Sequence, residues 1–206
     1  MNHQLERAYQ NQLKKFILSH KEILSILKEL AKINHDCYIC AGIIRNSIWS
    51  HLHGYHEKIT EIDVIYYDSS DVDDKVQHHI AHVLYKKFPF YEWDVVNQAK
   101  VHRWYKTDQN DSIEPLCSIW HALSLWPETA TAIAIRLTQD HKIEVIAPFG
   151  LVDLFDLKLR WNKNLVSESV FNQRIIRKNF IIRWPNLTIE KPFKAGVFLE
   201  EKPTYL

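Results

Sequence analysis

Residues 38–68 read YICAGIIRNSIWSHLHGYHEKITEIDVIYYD, and the fold is decided there. A short apolar run ends at Gly42, a helical pattern follows over 43–52, and a run of β-branched and aromatic residues begins at Glu61. Glu61 and Asp63 stand two apart, so on an extended strand both side chains project from one face. Beyond them Val64, Ile65, Tyr66 and Tyr67 make the strand apolar, as expected for a sheet covered on both sides. Two acids at the end of such a strand need water, metal or cationic partners. Facing a helix that starts at a glycine turn, they form a cradle for a divalent metal and phosphates, which points to phosphoryl or nucleotidyl transfer.

Outward from this stretch the chain reads as a mixed α/β (α+β) domain, a sheet flanked by helices. Apolar residues recur at helical spacing from Leu5 to Ile33, with Ser19 or His20 marking a break between two helices. Residues 36–40 read as the first strand and 61–67 as the second. The Asp68-Ser69-Ser70-Asp71 cluster suits a turn and N-cap before a helix over 72–86. A third strand is expected over 90–96, short helices over 98–105 and 113–123, a hairpin from 132–138 and 142–147, and a last helix over 167–182. Residues 1–35 are expected to form a helical segment packed on the core, 36–187 the main domain and 188–206 a C-terminal tail.

Composition narrows the function classes. The 206 residues are 46% apolar, enough for a core, and the formal net charge is +1, so nucleic-acid binding would need a local basic patch rather than the overall balance. No apolar run approaches the roughly 20 residues that span a bilayer, and the start MNHQLERAYQNQ lacks the apolar stretch of a secretory signal, so a cytoplasmic location without membrane contact is expected. Cys37, Cys40 and Cys117 are an odd set that does not describe a disulfide framework. The Cys37-x-x-Cys40 spacing is that of half a zinc site or a redox pair, but it lies in an apolar run with no second pair, which favours buried core thiols. His51 and His53, and His78, His79 and His82, have ligand-compatible spacing; without a nearby acid or cysteine they read as solvated histidines.

The motifs resemble a known family. Ala41-Gly42-Ile43-Ile44-Arg45-Asn46 followed by Glu61-Ile62-Asp63-Val64 is similar to the signature of the polymerase-β-type nucleotidyltransferase superfamily. The blocks WDVVNQAKVH (93–102), WPETATA (126–132), APFGLVDLF (147–155) and RWPNL (183–187) resemble the bacterial family of nucleotidyltransferase-like proteins once grouped as a domain of unknown function. Together the blocks cover most of the chain. Two features depart from the superfamily pattern: Glu61 stands where Asp is usual, and the span from Gly42 to Glu61 is several residues longer.

The resemblance implies a nucleotidyl transfer enzyme that moves a nucleoside monophosphate from a nucleoside triphosphate to an acceptor. Two Mg²⁺ or Mn²⁺ ions would be held by Glu61, Asp63 and a third carboxylate on the neighbouring strand, for which Asp94 is the candidate and Glu92 the alternate. Nucleotide contacts are expected from Gly42, Arg45 and Asn46 at the helix start and from Asn97, Gln98 and His102 after the third strand. Asn97 has a second reading as a helix cap, and Arg45 as a structural partner of the acids. Lys100, Arg103, Arg136, Lys158 and Arg160 are candidates to line a phosphate groove, and Trp104, Trp120, Trp126 and Trp161 to stack a base. Arg174, Arg177 and Lys178 read as a solvated helix face. The rival reading is the same fold kept as a module that binds nucleotide or a protein partner without turnover. An RNA-associated factor is a third, which the near-neutral charge disfavours.

Overall fold

A computed structural model describes residues 3–192. Helices α1 (His3–Ser19) and α2 (Lys21–Ile33) meet at the expected break, where His20 turns out of the helix and its Nδ1 accepts a hydrogen bond from the Ile23 N–H at 3.4 Å. Leu13 and Ile17 of α1 and Ile23, Ile26, Leu27 and Leu30 of α2 are buried. Strand β1 (Tyr38–Cys40) leads through Ala41 into α3 (Gly42–Leu52), then come β2 (Glu61–Tyr66), α4 (Lys75–Lys87) and β3 (Glu92–Asn97). A 3₁₀ helix spans Gln98–Arg103. After it come α5 (Ile119–Ser124), β4 (Ala134–Leu137), β5 (Ile143–Ile146), α6 (Val152–Phe155), β6 (Lys158–Arg160), α7 (Glu168–Arg177), α8 (Phe180–Arg183) and β7 (Thr188–Glu190).

The main sheet has the order β3-β2-β1-β4-β5. β2 and β3 run parallel, joined through α4, and the other pairs are antiparallel. β6 and β7 form a separate parallel pair, so residues 188–190 leave the tail and join a sheet. The mixed sheet flanked by helices, with the helical N-terminal segment on the core, is the architecture the sequence predicts. Among the described residues no helix is long and apolar enough to cross a membrane.

Strand alternation splits the apolar residues into two layers. Ile39, Ile62, Val64, Tyr66, Val95 and Ile135 point into the larger core with α1 to α4. Tyr38, Cys40, Ile65 and Ala134 point to the other side, against Ile119, Leu123 and Phe149. Glu61 and Asp63 share the face of Ile65, so the acids open onto the thinly covered side. Cys37 and Cys40 fall in different layers, which rules them out as a pair, and burial pushes the Cys37 thiol up to about 12. They are core thiols, as the sequence favours.

A fully buried aromatic knot ties α3 to the C-terminal third. The Trp49 and Trp184 rings meet edge-on at 5.2 Å, and Trp49 meets Phe180 at 5.8 Å. Each indole N–H is satisfied, Trp49 donating to the Leu154 carbonyl and Trp184 to the Ser50 hydroxyl, both at 3.0 Å.

Several boundaries differ from expectation for local reasons. α4 starts at Lys75 rather than 72, because Asp71 accepts from the Val76 N–H at 3.2 Å and from the Tyr66 hydroxyl at 2.7 Å, closing a longer turn. Phe90 stays outside β3 and is exposed. The last helix is two, since Asn179 adopts φ 52 between α7 and α8.

The turn into α3 carries the unusual backbone. Ala41, not Gly42, takes a positive φ of 56 with ψ −121, a conformation that L side chains disfavour and glycine accepts. Ala41→Gly is expected to stabilise the protein by about 1 kcal/mol, strain relief outweighing the added chain entropy. Urea titration checks this, and an equal or lower midpoint would contradict it.

Candidate active site

The parallel register sets Asp63 beside Asp94 and Glu61 beside Glu92. Asp63, Asp94 and Glu61 line a cavity of about 880 Å³ together with Gly42, Arg45, Asn46 and Gln98. Three of the expected nucleotide contacts thus gather at the start of α3 around the acids, and a fourth closes the far end. Burial, then the nearby Glu61 and Asp94 charges, push the Asp63 carboxyl up to about 6, although the Gly42 N–H bonds it and Arg45 attracts it. Burial and the Glu61 charge raise Asp94 as well.

Gly42 has no positive φ; a Cβ there would stand 3.8 Å from Asn46 Nδ2, 3.9 Å from Arg45 Nη2 and 4.0 Å from Asp63 Oδ2. Those are ordinary contacts, so what the glycine leaves is an open space between a cation, an amide and a carboxylate at a helix start. Arg45 is 4% exposed and firmly held. It donates to Thr131 Oγ1 at 2.7 Å and to Asn46 Oδ1 at 2.9 and 3.2 Å, and its guanidinium lies 4.7 Å from the Phe180 ring centre. Burial lowers it to about 10.

Asn97 and His102 do not line the cavity. Asn97, one residue from Gln98, faces the other way and caps the 3₁₀ helix, its Oδ1 accepting from Ala99 and Asp68 N–H groups at 3.1 Å. This is the capping role that the sequence leaves open. The sealed Nδ1 of His102 has no hydrogen-bond partner among the described residues.

The cations expected along a phosphate groove are used elsewhere. Lys100 pairs with Asp74, Arg136 with Glu144 and Asp36, Lys158 with Asp156 and Arg160 with Asp153, while Arg103 is exposed and outside the cavity. In their place Arg174 and Arg177 of α7 and the Lys178 that follows it, with Lys58 and Arg183, line the cavity, so the helix face expected to be solvated borders the cavity, with Arg177 exposed there. Arg174 makes a two-pronged pair with fully buried Glu128, Nε to Oε1 at 2.6 Å and Nη2 to Oε2 at 3.2 Å. Burial alone would lower Arg174, but Glu128 reverses this and holds it above its ordinary value. The signals for these residues are the Trp126-Pro127-Glu128 block and the spacing of Arg174, Arg177 and Lys178 on one helix face. Of the four candidate stacking tryptophans, Trp104 and Trp126 reach the cavity.

The acids fit a hard divalent cation in kind, being all-oxygen donors whose mutual repulsion a cation would relieve. Among the described residues no three His, Cys, Asp or Glu side chains already converge as a metal group. The exposed Glu61 instead reaches toward Lys178 Nζ at 3.9 Å.

Sheet order, register and acids define the fold of a nucleotidyltransferase head domain, and the comparisons with known proteins agree. The family model described as Nucleotidyltransferase matches residues 30–189, and the chain belongs to that family. A solved structure described as a CCA-adding enzyme head domain superposes with a TM-score of 0.72 at 24% identity, covering 88% of this chain and 95% of that one. The Thermotoga maritima CCA-adding enzyme complexed with tRNA aligns with a TM-score of 0.57 at 19% identity over 86% of this chain and 42% of its own. A CCA-adding enzyme with CTP gives 0.54 at 17% identity, over 86% and 43%. The chain thus spans less than half of those two enzymes. No curated protein shows a significant match.

The raised Asp63 has a measurable consequence. Between its ordinary value and about 6, folded Asp63 keeps a proton that the unfolded chain has lost, so its contribution is most favourable below about pH 4 and falls as pH rises through 6. Asp63→Asn is expected to stabilise the metal-free protein by about 1–2 kcal/mol at pH 8, allowing for partial exposure, and to be neutral at pH 4. Denaturant titrations at both pH values check it, and a variant less stable than the parent at pH 8 would contradict the charge-repulsion account.

Proposed function

We propose that the protein transfers a nucleoside monophosphate from a nucleoside triphosphate to an acceptor hydroxyl. The observation that carries this is the in-register Asp63–Asp94 pair lying across one cavity from the basic face of α7. Glu61, Asp63 and Asp94 are the residues to hold Mg²⁺ or Mn²⁺, two ions by analogy with the superfamily. Bound there, the metal supplies neutralisation of the triphosphate and acidification of the acceptor hydroxyl.

The chain's own residues supply the rest. Arg174, Arg177 and Lys178 offset the phosphate charge, while the Gly42 turn lets phosphate approach the first turn of α3. Arg45 and Asn46 fix the electrostatics beside Asp63. The acceptor oxygen forms a bond to the α-phosphorus, the α–β bridging P–O bond breaks, pyrophosphate leaves, and the hydroxyl proton passes to Asp94. CTP, ATP and tRNA, named with the structural neighbours, are the first donors and acceptor to test.

The Glu61 contact with Lys178 favours a second reading, a nucleotide-binding module without turnover. Incorporation of labelled nucleotide in the presence of Mg²⁺ separates the two.

Calorimetry with the four nucleoside triphosphates, with and without Mg²⁺, tests the site. The parent is expected to bind at least one of them in a metal-dependent way, and Glu61→Ala with Asp63→Ala to weaken it tenfold or more, about 1.4 kcal/mol. Equal binding by parent and double variant would sink the carboxylate assignment; no binding by either would sink the nucleotide reading.

A further inference from the structure

The cavity changes chemistry along the strands. On β2, Glu61, Asp63 and Ile65 line it; on β3, Asp94 and Val96 do, and Gln98 continues the same alternation. The face therefore runs from carboxylates through an apolar middle to a single amide. Asp94 and Gln98 are four residues apart, about 13 Å between backbones at extended spacing, so the amide stands well removed from the acids.

Gln98 is 5% exposed, lines the cavity, and its amide makes no side-chain hydrogen bond among the described residues. Its neighbour Asn97 shows the contrast, bonding two N–H groups and donating to the Asp68 carbonyl at 2.7 Å. Neither amide atom is sealed away from solvent, so its donors and its acceptor stay open to a ligand in the cavity.

Val101, Trp104, Tyr105, Leu116 and Trp126 form an uncharged part of the same lining, and Arg174, the cation that acts on Tyr105, is tied to Glu128. Trp104 lines the cavity at 62% exposure and meets the Tyr105 ring in a T-shaped contact at 6.2 Å. Phosphates are drawn to the cations of the lining; a planar ring with a hydrogen-bonding edge suits its aromatic and amide groups.

We propose that this wall holds the nucleobase of the donor nucleotide, with the Gln98 amide bonding the base edge and Trp104 packing on its face. This rests on the nucleotidyl-transfer reading above and adds where the base is held. An amide can turn over to match the donor and acceptor order of different bases, so Gln98 provides contact with the edge and the surrounding wall provides the fit.

The test compares nucleoside triphosphates with Mg²⁺-tripolyphosphate, which has the phosphates and no base. Calorimetry on the parent, Gln98→Met and Trp104→Ala is expected to show at least one nucleotide binding the parent tenfold or more tighter than tripolyphosphate. Each variant should lose about tenfold for the nucleotide and nothing for tripolyphosphate. Trp104 is exposed, so its variant keeps the fold even if Gln98→Met disturbs packing. Unchanged nucleotide binding in both variants, or equal losses for nucleotide and tripolyphosphate, would overturn the assignment. A parent that binds tripolyphosphate as tightly as every nucleotide would overturn it too, while leaving the phosphate site standing. A parent that binds neither ligand would remove the nucleotidyl-transfer reading and this inference with it.

Discussion

The parallel pairing of β2 with β3 is the constraint on which the site depends. Neighbouring strands lie about 4.8 Å apart, so once Asp63 is opposite Asp94 their carboxylates must share one small volume. A slip of one residue in either strand would turn its acid into the larger core and bring Ile62 or Val64, or Trp93 or Val95, to the cavity. Both ends of the pair are pinned. The Glu92 N–H donates to the Thr60 carbonyl at 2.8 Å at one end, and at the other Asn97 binds the Asp68 backbone through both its amide groups. Asn97 thus matters to the site without facing it, because it fixes the register that places the acids.

Crowding acids together costs folding energy, and the surrounding cations are arranged so that the cost is shared without cancelling the site. Arg45 attracts Asp63 but is immobilised by Thr131, Asn46 and two aromatic rings, so it biases the charge without capping the carboxylate. Arg174 is held by Glu128, whose burial makes that pair a device for position more than for stability. The pair anchors α7 to the segment before β4, and the aromatic knot of Trp49, Phe180 and Trp184 anchors α8 to α3. The two anchors hold the basic helix across the cavity from the acids.

How much of this is legible in the sequence follows from the range of each interaction. The Gly42 turn, the Glu61 and Asp63 alternation and the Ser19–His20 break are written in neighbouring residues, and period and turn chemistry recover them. Asp94 needs one further step, the pairing of strands joined by a helix, and the resemblance supplies it. Arg174 lies outside reach, because its partner Glu128 is 46 positions away and only tertiary packing turns a polar helix face inward. The cations chosen for a phosphate groove fail for a different reason: Arg136 and Arg160 meet acids eight and seven positions away, Glu144 across the β4–β5 hairpin and Asp153 in α6, and which nearby acid faces an arginine is decided by the packing of those elements. Asn97 and Gln98 carry the same functional group at adjacent positions, and one residue of strand alternation gives one to the backbone and the other to the cavity.

Glu61 raises the question of whether its longer side chain removes it from a metal site. Its contact with Lys178 is long at 3.9 Å, and both side chains are well exposed, at 56% and 38%. An ion pair of that kind holds by less than about 1 kcal/mol and is weakened by salt. The field that raises Asp63 acts at a buried carboxylate and comes in part from Glu61 itself. A divalent cation at Asp63 would turn that repulsion into attraction for Glu61, a larger force than a solvated lysine exerts. The contact with Lys178 is therefore too weak to keep Glu61 from a cation at Asp63, and the extra methylene gives it the length to serve either partner.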